Sequence, residues 1–555
     1  MLKKGLASVL AIGLVVGSLA ACGGQQGIKS STTPQKASSS VAEKMSSDVA
    51  QEKTITVAES FDFAKGFYPV FTESTSENPG ITNWGHNFYD NLVKYENGEI
   101  KGSLAESWEI SKDGKKYTFK LKKGVKFSDG SDFTANAVKV SFEQAIKNLG
   151  MYNGSFGRLS SLITSMEATD DNTFVMELSQ SYYGTLNDLT MCTPLAIVNP
   201  KAFESDPFKA CTEATMGTGP YMYESNDGGK AYKFVRNPYY WGENPEADSF
   251  VIKIIADNDS KMLALKNGEV DAIIGSSRIS HDAFHEMSES GEFKGKVDER
   301  GNLTDYIGLN LSKEPFNDTK VRQAVSHAID RNLISEKIYY GINAPALGLF
   351  EKTKPFCNVD VPVYEYDLEK ANKLLNEAGW KDEDKDGIRE KNGKKLEFTM
   401  SYTNAFGNRD DLMAAISGGL REVGISVKQE AMDMMSWMGP IMKGDYNITL
   451  YKTYGGAFDP TTVFTNINPE VATDKVVAQV SDLLPKGLIA ELDATSDIGR
   501  VQEIYKEVLE TIGKEAAVVP IDTVREFGIW NKNKIADYVF PDDSLQIEIG
   551  SFKFK

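Results

Sequence analysis

Six consecutive residues, Asp382-Glu383-Asp384-Lys385-Asp386-Gly387, set carboxylates at alternating positions before a glycine. That spacing lets Asp382, Asp384 and Asp386 turn oxygens toward one hard cation such as calcium. The twelfth position counted from Asp382 is Gly393, so the bidentate glutamate of an EF-hand is missing. A solvated turn leading into a hairpin over residues 388–396 is therefore preferred to a calcium loop. His281 and His285 stand four apart, a spacing that suits a metal if both lie on one helical face. No His-Glu-x-x-His surrounds them and the chain has 4 histidines in all, so a surface pair is expected. Gly-x-Ser-x-Gly, a Walker-type glycine loop and a paired Cys/His cluster are all absent, which lowers the case for catalysis. The remaining candidates suit capture of a solute without covalent chemistry. They are Trp84, Tyr454 and Phe458 as stacking walls, Arg158 for a carboxylate and Glu59 for a cation, each weighed against ordinary packing. Asp459-Pro460 is read as a turn rather than a contact.

Four cysteines are present, Cys22, Cys192, Cys211 and Cys357, with no metal-type spacing. Cys192 and Cys211 could be bridged in an oxidising compartment, but buried free thiols are the preferred reading. Cys22 has another explanation. Lys3 and Lys4 precede an apolar run over residues 6–21, long enough for a secretory segment and short for a membrane span. The run ends in Leu19-Ala20-Ala21-Cys22-Gly23, which resembles a bacterial lipobox. Residues 1–21 are thus expected to be a lipoprotein signal peptide, with Cys22 carrying the lipid. Residues 22–52 are rich in Ser, Thr, Gln, Lys and Ala and too poor in large apolar side chains to fold, so they read as a tether.

At 555 residues the chain exceeds one ordinary core, and its 41% hydrophobic and 25% charged residues are those of a soluble globular protein. A net charge of −18 argues against nucleic acid as a partner and against attachment to anionic lipid by surface charge.

These candidates must be held by alternating helices and strands. Tyr117, Phe119 and Leu121 point one way and Thr118 and Lys120 the other, the period of a half-buried strand between turns at Asp113-Gly114 and Asp129-Gly130. From Asp132 the period becomes helical, with Ala135, Val138, Phe142 and Ala145 on one face. The folded part is expected to begin with the alternating strand at residues 53–58, and a strand covers residues 172–178. A helix follows over residues 261–267, closed by Gly268, and then a strand over 270–274. A second half begins near Tyr306. Its helices are expected at residues 320–340, at 368–378 behind an Asp367 cap and before Gly379, at 410–423 and at 500–512. A strand at residues 518–521 returns the chain to the first half. This pattern gives α/β lobes.

Several runs carry a family likeness. They are the block from Tyr89 to Phe142, Gly217-Thr218-Gly219-Pro220-Tyr221, Arg236-Asn237-Pro238-Tyr239-Tyr240-Trp241, Val321-Arg322-Gln323-Ala324-Val325, Ala378-Gly379-Trp380 and Phe458-Asp459-Pro460. In this order they resemble the family 5 extracellular solute-binding proteins of ABC importers, from about Thr54 to the C-terminus. The resemblance implies an α/β fold of the two-lobed type II periplasmic-binding-protein kind, with a discontinuous first lobe and an extra subdomain. Lobe 1 would span residues 53–305, with the subdomain at about 95–215, lobe 2 residues 306–520, and residues 521–555 would return to lobe 1. It also implies ABC permease and ATPase partners, a small-molecule ligand, no resident cofactor, no enzymatic activity and a monomer. The protein would be held by lipid at the outer face of the cytoplasmic membrane, or lie in the periplasm.

Within the family, peptide binders carry an aspartate four residues before the proline of the matching segment, holding the peptide's ammonium. Here that position is Gly456. The nickel-type branch is more similar, with an aromatic where Tyr454 stands, a small residue near Gly456, an aromatic at Phe458 and a flank like Arg389-Glu390-Lys391-Asn392-Gly393. Two positions depart from that branch. Thr193 stands where an arginine would meet a chelator's carboxylates, and a functional histidine falls near Ala472. The ligand implied is a nickel or other metal chelate or a related compact polar solute, with a di- or oligopeptide as the alternative.

Overall fold

The computed structural model describes residues 52–70, 79–150, 153–154, 157–403, 409–454, 460–472 and 474–555. Gly456 and Phe458, like Cys22, lie outside them.

One mixed sheet links the described halves. Its strands run in the order Ser426–Met432, Glu397–Thr403, Ile448–Lys452, Lys294–Leu309, Val518–Trp530, Ala272–Ile274, Thr54–Glu59, Ser249–Ile254, Ala231–Arg236 and Tyr221–Asn226. Thr54–Glu59 pairs parallel to Ser249–Ile254, and Glu397–Thr403 parallel to both of its neighbours. Glu397–Thr403 and Ser426–Met432 are joined by the helix Arg409–Glu422, a β-helix-β connection of the kind that alternating patterns require. The chain passes between halves on two long antiparallel strands, Lys294–Leu309 outward and Val518–Trp530 back. Their ladder shifts register between Val297 and Gly301, between Gly301 and Leu303, and between Asp305 and Tyr306. At Gly301 a Cβ would stand 2.2 Å from Thr523 Cγ2 and 2.6 Å from the Glu351 carboxylate, so only glycine lets the strands approach there.

The cores follow this division. One apolar cluster gathers Ile55, Trp84, Phe88, Phe119, Phe142, Phe174, Phe250 and Ile549. Two others gather Ile307, Val325, Leu375 and Leu420, and Tyr306, Val463, Ile504, Tyr505 and Val518. A four-stranded antiparallel sheet, Ala105–Ile110, Lys116–Leu121, Thr173–Leu178 and Ile163–Asp170, carries the helix Ala135–Leu149 on one face. Tyr117, Phe119 and Leu121 are buried there and Lys120 is exposed, as their alternation requires.

Three elements differ from expectation. The helical pattern over residues 320–340 is two helices, Thr319–His327 and Arg331–Lys337. The break falls where the Asp330 side chain accepts from Leu333 N and starts a new turn. The return strand continues to Trp530, its alternation masked because Asp522, Thr523 and Glu526 are buried polar residues. His281 and His285 are not a surface pair. His285 is exposed and stacks on Tyr340, whereas His281 is buried against Tyr339 and Phe527, and burial lowers its pKa to about 4. Cys192 and Cys211 are buried free thiols, and Cys357 is buried as well. Among the described residues no helix is long and apolar enough to cross a membrane.

Candidate functional site

The two crossing strands form the base of the site. Asp305 and Asp522 face each other as register partners, and both are buried. Like charges directly opposite are unfavourable. Arg409, at the start of the helix Arg409–Glu422, offsets them by donating from Nη2 to Asp305 at 2.8 Å, and Lys452 Nζ lies 3.8 Å from the same carboxylate. Asn343 Nδ2 donates to Asp522 at 2.7 Å. Burial, and then the Asp305 charge, push the Asp522 carboxyl well above the usual range. Arg409 and Lys452, with Tyr402, Thr403, Trp437, Leu450 and Tyr451, line a cavity of about 10 Å3, room for about one water.

Two residues on from Lys452 stands Tyr454. Its hydroxyl donates to Asp474, and its ring stands edge-on to Tyr451 at 6.2 Å. Asp474 is buried and caps the helix Lys475–Ala478 through Val476 N and Val477 N. Burial raises its pKa.

The third part is a seam between the halves. Arg158 Nη1 meets Asp493 Oδ2 at 2.6 Å, and Asn468 Nδ2 donates to the same oxygen at 2.7 Å. Beside them Gln180 Nε2 reaches Asp493 O at 2.9 Å, Ser181 Oγ reaches Ala494 O at 2.6 Å, and the Tyr183 and Tyr505 hydroxyls meet at 2.8 Å. A Cβ on Gly184 would touch Thr461, 2.7 Å from its methyl. Asp493 Oδ1 and the Thr465 hydroxyl, both buried, make no hydrogen bond among the described residues. Neither does the Thr193 hydroxyl, beside the cis bond to Pro194. Burial raises the pKa of Asp493 despite Asn468 and Arg158.

The expected contacts are thus dispersed. Glu59 and Trp84 come together, but in a wholly buried position, with Trp84 Nε1 donating to Glu59 Oε2 at 2.7 Å and Arg278 Nε to the same oxygen at 2.7 Å. Trp84 stacks on Phe250. Neither presents a face to solute in this form. Thr193 lies close by, because Cys192 packs on Gly85, where a Cβ would meet the sulfur at 2.3 Å. Arg158 has its charge taken by Asp493. Tyr454 stands on the second half. At the acidic loop, Asp386 is paired with Lys395, and the oxygens that converge belong to Asp382, Asp384 and Glu390, the first two exposed. The residues missed from sequence are Asp493, Asn468, Asp474, Asp305, Arg409 and Lys452. Their only local signal is a capping position for Asp474.

The geometry is that of two lobes meeting beside a cross-over, and comparison with known proteins agrees. The model of the bacterial extracellular solute-binding proteins, family 5 Middle, matches residues 99–474. The nickel-binding periplasmic protein of Escherichia coli is 28% identical over 441 residues, 79% of this chain and 83% of that protein. The oligopeptide-binding protein AppA of Bacillus subtilis is 28% identical over 374 residues, covering 66% of this chain and 67% of its own. The crystal structure of NikA from Brucella suis with Fe(III)-EDTA superposes with a TM-score of 0.83 at 26% identity, over 91% of this chain and 100% of that one.

Proposed function

The chain belongs to family 5 of the bacterial extracellular solute-binding proteins, and from that premise we propose that it captures a nickel chelate or a related compact polar solute between its lobes and delivers it to an ABC importer. The observation that carries this reading is Gly456. It stands where peptide-binding members are expected to hold an aspartate against the peptide's ammonium. A buried ammonium without that counter-charge would cost several kcal/mol. The likeness to the E. coli nickel-binding protein and to a NikA structure holding a metal chelate supports the same reading.

In this reading the solute shifts an equilibrium between open and closed lobes, and the permease reads the closed form. The irregular ladder between Val297 and Tyr306 is where the two crossing strands would bend. The Arg158–Asp493 pair belongs to the closed form. The chain supplies binding and a closing motion, the partner ATPase supplies the energy, and no bond of the solute is broken. An oligopeptide is the second reading, favoured by the likeness to AppA of B. subtilis.

Lipid at Cys22 would hold the protein at the membrane, each buried methylene contributing about 0.8 kcal/mol. Cys22→Ala should move most of the protein into the medium or soluble fraction. Full retention in the membrane fraction would end the lipoprotein reading. Native mass spectrometry of protein purified from its own cells tests the ligand class. A retained adduct with the isotope pattern of a metal chelate is expected, and a series of peptide masses would favour the alternative.

A further inference from the structure

The second lobe contains a cavity of about 500 Å3 that none of the candidate site residues above lines. It lies between an irregular stretch, residues 346–364, and the helix Ile498–Lys514 with the first residues of the strand Val518–Trp530. Its walls are mostly aliphatic, among them Leu349, Val359, Val361, Leu509, Ile512 and Val518. Two further lining residues, Leu347 and Val363, remain 64% and 48% exposed, so apolar surface continues to the mouth. The volume is within the roughly 300–1,000 Å3 of small-molecule sites.

Aliphatic walls alone would not define an occupant, but one charge does. Arg331 lines the cavity, and among the described residues no carboxylate pairs with it. Its Nε donates to Pro520 O at 2.7 Å, its Nη1 to Ser326 O and Tyr364 O at 3.1 Å each, and its Nη2 to Ser326 Oγ at 2.9 Å. Nη1 also reaches Ile329 O at 3.4 Å, so its two N–H groups are shared among three acceptors, and of the two on Nη2 one is left over. Burial lowers the Arg331 pKa to about 10. The other charged lining groups are engaged. Arg300 meets Asp298 and Asp542, Lys352 meets Asp360, Glu299 meets Arg525, and Glu351 accepts from Gly301 N.

We propose that this cavity binds a single-chain amphiphile with an anionic head, of which a medium-chain carboxylate is the simplest. Its chain lies along the Val359, Val361 and Ile512 wall and its head meets Arg331. A carboxylate there neutralises a half-buried guanidinium and accepts a charge-assisted hydrogen bond. A neutral head does neither, and a cationic one is repelled.

Calorimetric titration of the protein with decanoate, decanol and decyltrimethylammonium tests this. Decanoate should bind saturably, one per chain, at least tenfold tighter than decanol and tighter still than the cation. Val361→Trp, which fills the cavity, should weaken decanoate at least tenfold. If that variant does not fold, Leu347→Trp at the exposed mouth serves in its place. No saturable decanoate binding, equal affinity for decanol or the cation, or an affinity unmoved by the tryptophan would each overturn the proposal.

Discussion

Two buried ion pairs in this molecule are built to different ends. Glu59 and Arg278 lie wholly within the first lobe, and every lone pair of the carboxylate is used. Oε1 accepts from Ser60 N and Phe61 N, and Oε2 from Trp84 Nε1 and Arg278 Nε. Arg158 and Asp493 join the two lobes, and Asp493 Oδ1 makes no hydrogen bond among the described residues. A carboxylate satisfied on all sides fixes one arrangement, even though Arg278 Nη2 makes no hydrogen bond among the described residues. A pair across a seam, with one acceptor unspent, gives up less when the seam opens. The first reads as structure and the second as a latch.

The largest expected effect breaks the structural pair. Glu59→Ala leaves Arg278 buried without its counter-charge, which costs about 3–5 kcal/mol. The urea midpoint should fall with or without ligand. A variant of unchanged stability but weaker solute binding would instead return Glu59 to the cation contact expected from sequence.

Breaking the latch should act on function first. Arg158→Ala should weaken solute binding about tenfold, about 1.4 kcal/mol, with a smaller change in the stability of the ligand-free protein. Arg158→Lys should restore part of the loss. Small-angle scattering should show the radius of gyration falling on ligand addition in the parent and less completely in the alanine variant. Equal losses of stability and affinity would make the seam a fixed interface.

The crossing strands give the subtlest test. The Asp522 pKa is raised by burial and by Asp305, so the folded state binds a proton that the unfolded chain releases at ordinary carboxylate pH. Its contribution to stability is therefore present below the unfolded pKa, near 3.8, and is lost as pH rises through the raised folded value. Asp522→Asn should flatten that decline and leave the protein more stable than the parent near neutrality. A variant with the parent's slope would place the pH dependence in Asp474 or Asp493, whose pKa values are also raised by burial.

Local features of the fold were legible. The alternation at Tyr117, Phe119 and Leu121 and the cap at Asp367 each depend on a few neighbouring residues. Long-range partners were not. Arg158 and Asp493 stand 335 residues apart, and Glu59 and Arg278 stand 219 apart, with nothing in either neighbourhood to announce the other. From sequence alone Arg158 and Glu59 therefore resemble charges free to meet a solute. The break at Asp330 did have a signal, an aspartate ahead of a second helical turn. It was outweighed by the apolar face running through Ala328 and Ile329.

The central claim is that the lobes close on a compact chelate rather than on a peptide's free amino terminus. Calorimetric titration with nickel in the presence of histidine, beside a set of unmodified di- to pentapeptides, tests it most directly. The account predicts saturable binding of the chelate at micromolar affinity or better, about −8 kcal/mol, and weak or absent peptide binding. Micromolar binding of unmodified peptides with no response to the chelate would contradict it.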